Sequence, residues 1–193
     1  MQRIYATALT PEQYVATEGH RAVRAEVVCP RCGKNCGLHR HGVYERGITG
    51  TLGQVLRIAV ARFLCLACRR TVSYLPDFAL SYRLVRVATF EAFLEAQPER
   101  VDVQRWQTVL TDYRRRLRRH AAVLWRTVGC GFGRGPPTDG AVWPWLKEAC
   151  GGLASAARRL VAQFRITLFE RYQCHQPAMR RTSRSARKER QGR

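Results

Sequence analysis

Cys29-Pro30-Arg31-Cys32-Gly33 and Cys65-Leu66-Ala67-Cys68 decide how this chain is read. They are two Cys-x-x-Cys pairs separated by 32 residues. A two-residue spacer lets both sulfurs of a tight turn point at one place, and four thiolates complete a closed tetrahedral shell. That is the arrangement of a structural zinc, one per chain, because no position stays open for water. The gap exceeds the usual spacing of roughly 15–20 residues, and a β-hairpin between the knuckles would accommodate it. A redox reading needs a single Cys-x-x-Cys inside a βαβ unit, and neither pair has that context. Cys36 lies beyond the Gly33 turn and is treated as a bystander. His39 and His41 alternate on a strand and could share a face, as surface contacts more naturally than as ligands. Cys130, Cys150 and Cys174 share no pair spacing and read as ordinary thiols.

Around the pairs, periodicity gives an α+β chain. Leu38 to Arg46 is a polar strand, Gly47, Gly50 and Gly53 mark a loop, Gln54 to Leu64 is a long strand, and Thr71 to Tyr74 a short one. These would make a small four-cysteine antiparallel zinc ribbon over residues 29–83, after an N-terminal segment, 1–28. A helical region, 84–128, follows. Leu84 to Ala96 forms one helix, ended before Pro98, and Asp102 caps a longer one reaching Val128. Residues 129–178 hold a Gly/Pro-rich loop, a Trp143-Pro144-Trp145 segment that could pack back on the helices, and a helix from Leu153 to Tyr172. Residues 179–193 form a basic tail with nothing apolar to bury, read as disordered.

Charge points to a partner. The chain has 193 residues with 34 Lys and Arg against 14 Asp and Glu, a formal net charge of +20, which favours polyanions. The excess is concentrated, with net +7 over residues 29–83 and +6 over the last fifteen residues. Arg40, Arg46, Arg57, Arg62, Arg69 and Arg70 lie on or beside the strands of the ribbon, near Tyr44 and His41. A ribbon of that size has little core, so outward arginines would contact the phosphates of duplex DNA. Arg114, Arg115, Arg116, Arg118 and Arg119 form a second run, and the lack of nearby acids to pair with it points it towards phosphate. No run of about 18 apolar residues predicts a membrane span. The first ten residues lack the pattern of a secretory signal, so the expected location is cytoplasmic and nucleoid-associated.

Residues 29–83 resemble the zinc-ribbon domain of insertion-sequence transposases and of short transposon-linked proteins that lack a catalytic domain. The residues that carry the resemblance are Cys29-Pro30-x-Cys32, then Leu38-His39-Arg40-His41-Gly42-x-Tyr44-x-Arg46, then Cys65-x-x-Cys68-Arg69-Arg70-Thr71-x-Ser73-x-Leu75-Pro76-Asp77-Phe78. The resemblance implies zinc on Cys29, Cys32, Cys65 and Cys68, and DNA recognition, commonly with a helix-turn-helix after the ribbon. Residues 84–120 have helix lengths that could make one. Val101 to Gln107 would open its recognition helix, which nominates Gln104, Arg105, Gln107 and Thr108 for base edges, with Arg115 and Arg119 on phosphates.

Catalysis is not expected. The acids after Cys68 are scattered, without the paired carboxylates that two-metal phosphoryl chemistry needs. No Gly-rich loop ends in Lys-Ser or Lys-Thr, and no Ser/His/Asp set stands out. The reading is a non-catalytic, zinc-dependent, transposase-associated or transposase-derived DNA-binding protein. The alternative is an interaction module. Positions 103, 110, 117 and 124, with 106, 113 and 120, make a heptad-like stripe through which the helix could pair with a transposase or with itself.

Overall fold

The computed structural model describes residues 1–35, 37–132 and 142–169. Strands β1 (Gln2–Tyr5), β2 (Leu38–Thr49), β3 (Val55–Cys65) and β4 (Arg70–Pro76) form one sheet in the order β1-β4-β3-β2. The pairs β2–β3 and β3–β4 are antiparallel, as the hairpin reading requires, and β1 runs parallel to β4. The helices are α1 (Pro11–Ala16), α2 (Val87–Leu94), α3 (Val101–Arg105), α4 (Gln107–Phe132), α5 (Val142–Cys150) and α6 (Leu153–Arg159). The chain is α+β.

The N-terminal residues are part of the sheet rather than a separate segment. Gln2 to Tyr5 register with Ser73 to Pro76, and Val23 covers Ala61, Phe63, Val72 and Tyr74 on one face. Helix α1 starts with a capping box, Thr10 Oγ1 accepting from Gln13 N and Gln13 Oε1 from Thr10 N. It then fixes the β2–β3 turn. The Glu12 carboxylate accepts from Thr51 N at 2.5 Å, Thr51 Oγ1 at 2.9 Å and Gln54 Nε2 at 2.9 Å.

A ribbon with little core is not what forms. Strands β2 and β3 extend well past the knuckles, and their far halves carry Ile48, Ile58 and Val60, all buried. With Leu75, these residues join a single core with Phe90, Leu110, Leu117, Leu124, Trp145, Leu146, Leu153 and Leu160. Sheet and helices therefore stabilise one another, and residues 142–169 pack into the same core. Trp143 and Trp145 are buried there, as their apolar character suggests.

Several helix boundaries differ from the sequence reading. Residues 84–85 form a bend in which Leu84 N donates to Tyr113 Oη, and Arg86 is extended in a bridge to Ala79, so α2 begins at Val87. The long helix expected from Asp102 breaks at Trp106, whose indole Nε1 donates to Gly53 O at 2.7 Å. Asp102 is not its cap. It lies 3% exposed in the first turn of α3, facing Arg86, Arg100 and Thr89. Helix α6 passes into a π-helical turn at Leu160–Phe164 and stops at Arg165, whose φ is 55°. Residues 166–169 of the helix expected to reach Tyr172 are not helical, whereas residues 170–172, most of the Gly/Pro-rich loop and the basic tail lie outside the described residues.

Candidate metal centre and arginine surface

The sequence brings the four cysteines together by two similar turns. Cys29 closes the first, donating its N–H to Lys34 O while its own carbonyl accepts from Gly33 N at 2.9 Å. Cys65 ends β3, and Cys68 N donates to the Cys65 sulfur at 3.5 Å in the second. In each knuckle the residue after the second cysteine is left-handed, Gly33 at φ 71° and Arg69 at φ 53°. That reversal turns the chain back and leaves both sulfurs of a pair on its inner side.

The four sulfurs lie within 4.8 Å of one another. Cys29 and Cys68 Sγ are 4.0 Å apart, and Cys32 and Cys65 Sγ are 3.8 Å apart. A tetrahedral ion with metal–sulfur bonds of about 2.3 Å has an edge of about 3.8 Å, so the spacing fits a four-thiolate metal ion. Cys29 and Cys65 are fully buried, Cys68 is half-buried and Cys32 is exposed. Burial, and next the hydrogen bond with the Cys65 sulfur, pushes the Cys68 thiol up to about 12. The cysteines are positioned to bind a metal ion.

Neither nearby histidine joins the group. His39 and His41 are exposed on β2, and the register of β2 against β3 shifts between Arg40 and Gly42, leaving His41 as the bulge residue. Cys36 lies outside the described residues. Cys150 is a buried thiol of the helical core.

The nominated arginines have different surroundings. Arg57, Arg69 and Arg70 are exposed, with Arg57 loosely paired to Glu45 at 3.4 Å. Arg40 is exposed overall but structurally engaged: it donates to the carbonyls of His20, Arg21 and Val23 and stacks over Phe63. Arg46 is half-buried, donating to Leu80 O at 3.1 Å and to Arg83 O. Arg62 is half-buried and donates to Thr71 Oγ1 at 3.2 Å. Both are recessed on one sheet face rather than projecting from an edge. In the helical region Gln104, Arg105, Gln107 and Thr108 are all exposed, clustered about the α3–α4 break beside the Gly53 turn.

Two expectations about α4 need correction. The arginine run does have an acid to pair with, because Asp112 lies one turn earlier and engages both Arg115 and Arg116. Arg118 and Arg119 are exposed and form no ion pair among the described residues. The heptad-like stripe is not a free face either. Val103, Leu110, Tyr113, Leu117 and Leu124 are buried in the chain's own core, His120 is also buried and Trp106 is half-buried, so the stripe is already packed within one chain.

Sequence reasoning missed the interior charge network. Arg86 links Asp102, Thr89 and Thr51 O, and Arg100 adds a two-pronged contact to Asp102 at 3.0 and 2.9 Å. It ties the end of the β2–β3 hairpin to α2 and α3, and no local sequence pattern announces it.

Residues 29–115 match DUF6431, a domain of unknown function. The match opens on the first knuckle cysteine and runs through the whole hairpin and into α4, past the end expected for a ribbon at residue 83. That span agrees with the shared core and with the Arg86–Asp102 link between sheet and helices. Neither a curated protein nor a solved structure matches the chain. Among the described residues, no helix is long and apolar enough to cross a membrane.

Proposed function

We propose that this protein binds duplex DNA, that the ion held by Cys29, Cys32, Cys65 and Cys68 is a structural zinc, and that the protein acts without catalysis of its own. The sulfur spacing carries the zinc assignment, since an all-thiolate shell suits zinc and leaves no position for substrate. Metal binding would lock the free end of the hairpin, where a small cluster of Val23, Ala61, Phe63, Val72 and Tyr74 forms the buried core among the described residues.

The DNA reading is supported by the exposed basic residues. Arg57, Arg69 and Arg70 on the sheet, Arg105 at the α3–α4 break, and Arg118 and Arg119 on α4 all reach solvent. Exposed guanidinium groups outnumbering local acids are suited to phosphate contact. Gln104, Arg105 and Thr108 are the candidates for base edges. The non-catalytic reading is supported by the sequence, whose acids after Cys68 are scattered without the paired carboxylates of two-metal chemistry. An association with transposition rests on the resemblance of residues 29–83 to transposase zinc ribbons.

A mobility-shift titration of the zinc-loaded chain on a random-sequence duplex, repeated after chelation, tests the proposal. Binding that weakens when the metal is removed and returns with zinc is the expected result. Absence of binding by the loaded protein would overturn the DNA reading, and full binding by the stripped protein would detach the metal from it.

A further inference from the structure

The sheet face that carries Arg46 and Arg62 opens into a cleft of about 610 Å³, bounded on its other side by Tyr82, Arg83 and Leu84. Pockets of roughly 300–1,000 Å³ hold ligands the size of a nucleotide. Its lining combines guanidinium groups with the hydroxyls of Tyr44, Thr71, Ser73 and Tyr82, and no carboxylate lines it among the described residues.

The strand register orders these groups. Arg46 stands opposite Ile58, Tyr44 opposite Val60, and Arg62 is two residues further along β3. Positions 58, 60 and 62 share one face, so Arg46, Tyr44 and Arg62 succeed one another at steps of about 6.6 Å along the sheet. An aromatic ring is thus flanked on either side by a cation. Arg46 is desolvated, and burial lowers its pKa while the nearby tyrosines partly offset that. Its guanidinium is held by two carbonyl oxygens and a hydrogen bond with Tyr44, and is charge-paired by no acid of the cleft. Arg62 makes a hydrogen bond to Thr71 and no ion pair among the described residues. A recessed cation without a carboxylate favours an anionic ligand.

We propose that this cleft binds a short stretch of single-stranded DNA, with phosphates at Arg46 and Arg62 and an unpaired base against Tyr44. Single-strand sites combine a cationic track with aromatic rings on which bases stack. A duplex is too wide to enter a recess on a sheet face, whereas one extended strand fits along it. The inference is independent of the duplex reading, whose phosphate contacts come from Arg57, Arg69, Arg70, Arg118 and Arg119 outside the cleft.

The test is fluorescence anisotropy of labelled ten-nucleotide oligo(dT) with the full, metal-loaded chain, alongside oligo(rU) and a labelled duplex. Arg62→Gln removes one guanidinium whose described bond is a single contact to Thr71, and circular dichroism checks that it folds. The expected result is a loss of about tenfold or more for oligo(dT), a salt slope shallower by about 0.7, and duplex affinity unchanged within about twofold. A second readout needs no variant: photocrosslinking of an oligonucleotide carrying 4-thiothymidine, read by mass spectrometry, should label Tyr44 or Tyr82. Equal losses for oligo(dT) and duplex, or crosslinks confined to α4, would overturn the proposal. So would tighter binding of oligo(rU), which would assign the cleft to RNA, or full competition by thymidine monophosphate, which would assign it to a free nucleotide.

Discussion

Arg86 and Asp102 stand sixteen positions apart in the chain and meet in the interior, Nη2 to Oδ2 at 3.0 Å, with side chains 11% and 3% exposed. Thr89 and Arg100 complete the carboxylate's partners. Removing one member of a buried pair leaves the other charge uncompensated, at a cost of about 3–5 kcal/mol. Asp102→Ala should therefore lower stability by about that amount in urea denaturation. An unchanged midpoint would show that the network contributes nothing.

The same site sets a pH dependence. Burial alone would raise the Asp102 pKa, but the hydrogen bonds from Thr89, Arg100 and Arg86 outweigh it and hold the carboxyl below its ordinary range. A lowered folded-state pKa means the contribution is complete above the unfolded pKa of about 3.9 and is lost as pH falls through the folded value. Wild-type stability should decline over that acid range more steeply than that of Asp102→Asn. Parallel pH profiles for the two would remove Asp102 as the cause.

The metal set is open to a direct substitution test. Cys29→Ser and Cys65→Ser should each lose the metal and the fold of the knuckle end, whereas Cys36→Ser and Cys150→Ser should retain one ion per chain by elemental analysis. Loss of metal in Cys36→Ser would replace one of the four assigned ligands.

Two glycines separate backbone strain from crowding. Gly33 and Gly53 are both left-handed, at φ 71° and 78°, but a Cβ on Gly33 meets nothing within 4 Å while one on Gly53 would come within 3.2 Å of the Asp102 Cα. Gly33→Ala should cost about 1–2 kcal/mol from conformation alone. Gly53→Ala should cost more, because it also pushes on the Trp106 and Asp102 anchors. Thermal melting of the two variants ranks them, and equal losses would mean the hairpin yields freely to the added methyl.

Local spacing made the metal group and the β2–β3 hairpin legible from sequence, because both cysteine turns and the long Val/Leu/Ile-rich strand announce themselves within a few residues. What escaped was long-range. Strand β1 has four residues and pairs in parallel with a strand some seventy positions away, which no local pattern encodes. Asp102 resembled a helix cap because its buried partners, Arg86 just before α2 and Thr89 within it, are distant in the chain. Trp106 fitted the helical period, yet its indole bond to Gly53 O accompanies a break there. Arginines are ambiguous in the same way, since Arg40 and Arg46 satisfy backbone carbonyls while Arg69 and Arg119 face solvent, and composition does not distinguish them.

On the α3–α4 surface, Arg119→Ala should weaken binding to every duplex alike, because a phosphate contact carries no sequence information. Arg105→Ala should cost about 1–3 kcal/mol on a preferred site and little on random DNA, as a base-edge contact does. Selection of bound sequences from a random pool by wild type and by Arg105→Ala compares the two roles. The same consensus at the same affinity would leave the exposed sheet arginines as the readers.

The most direct test of DNA binding by the zinc-loaded protein is its affinity for a random duplex over a series of salt concentrations. If about six exposed arginines reach phosphates, log affinity against log salt should fall with a slope near −5, at about −0.9 per contact. A slope close to zero would contradict the account, because the +20 charge would then not be used on DNA.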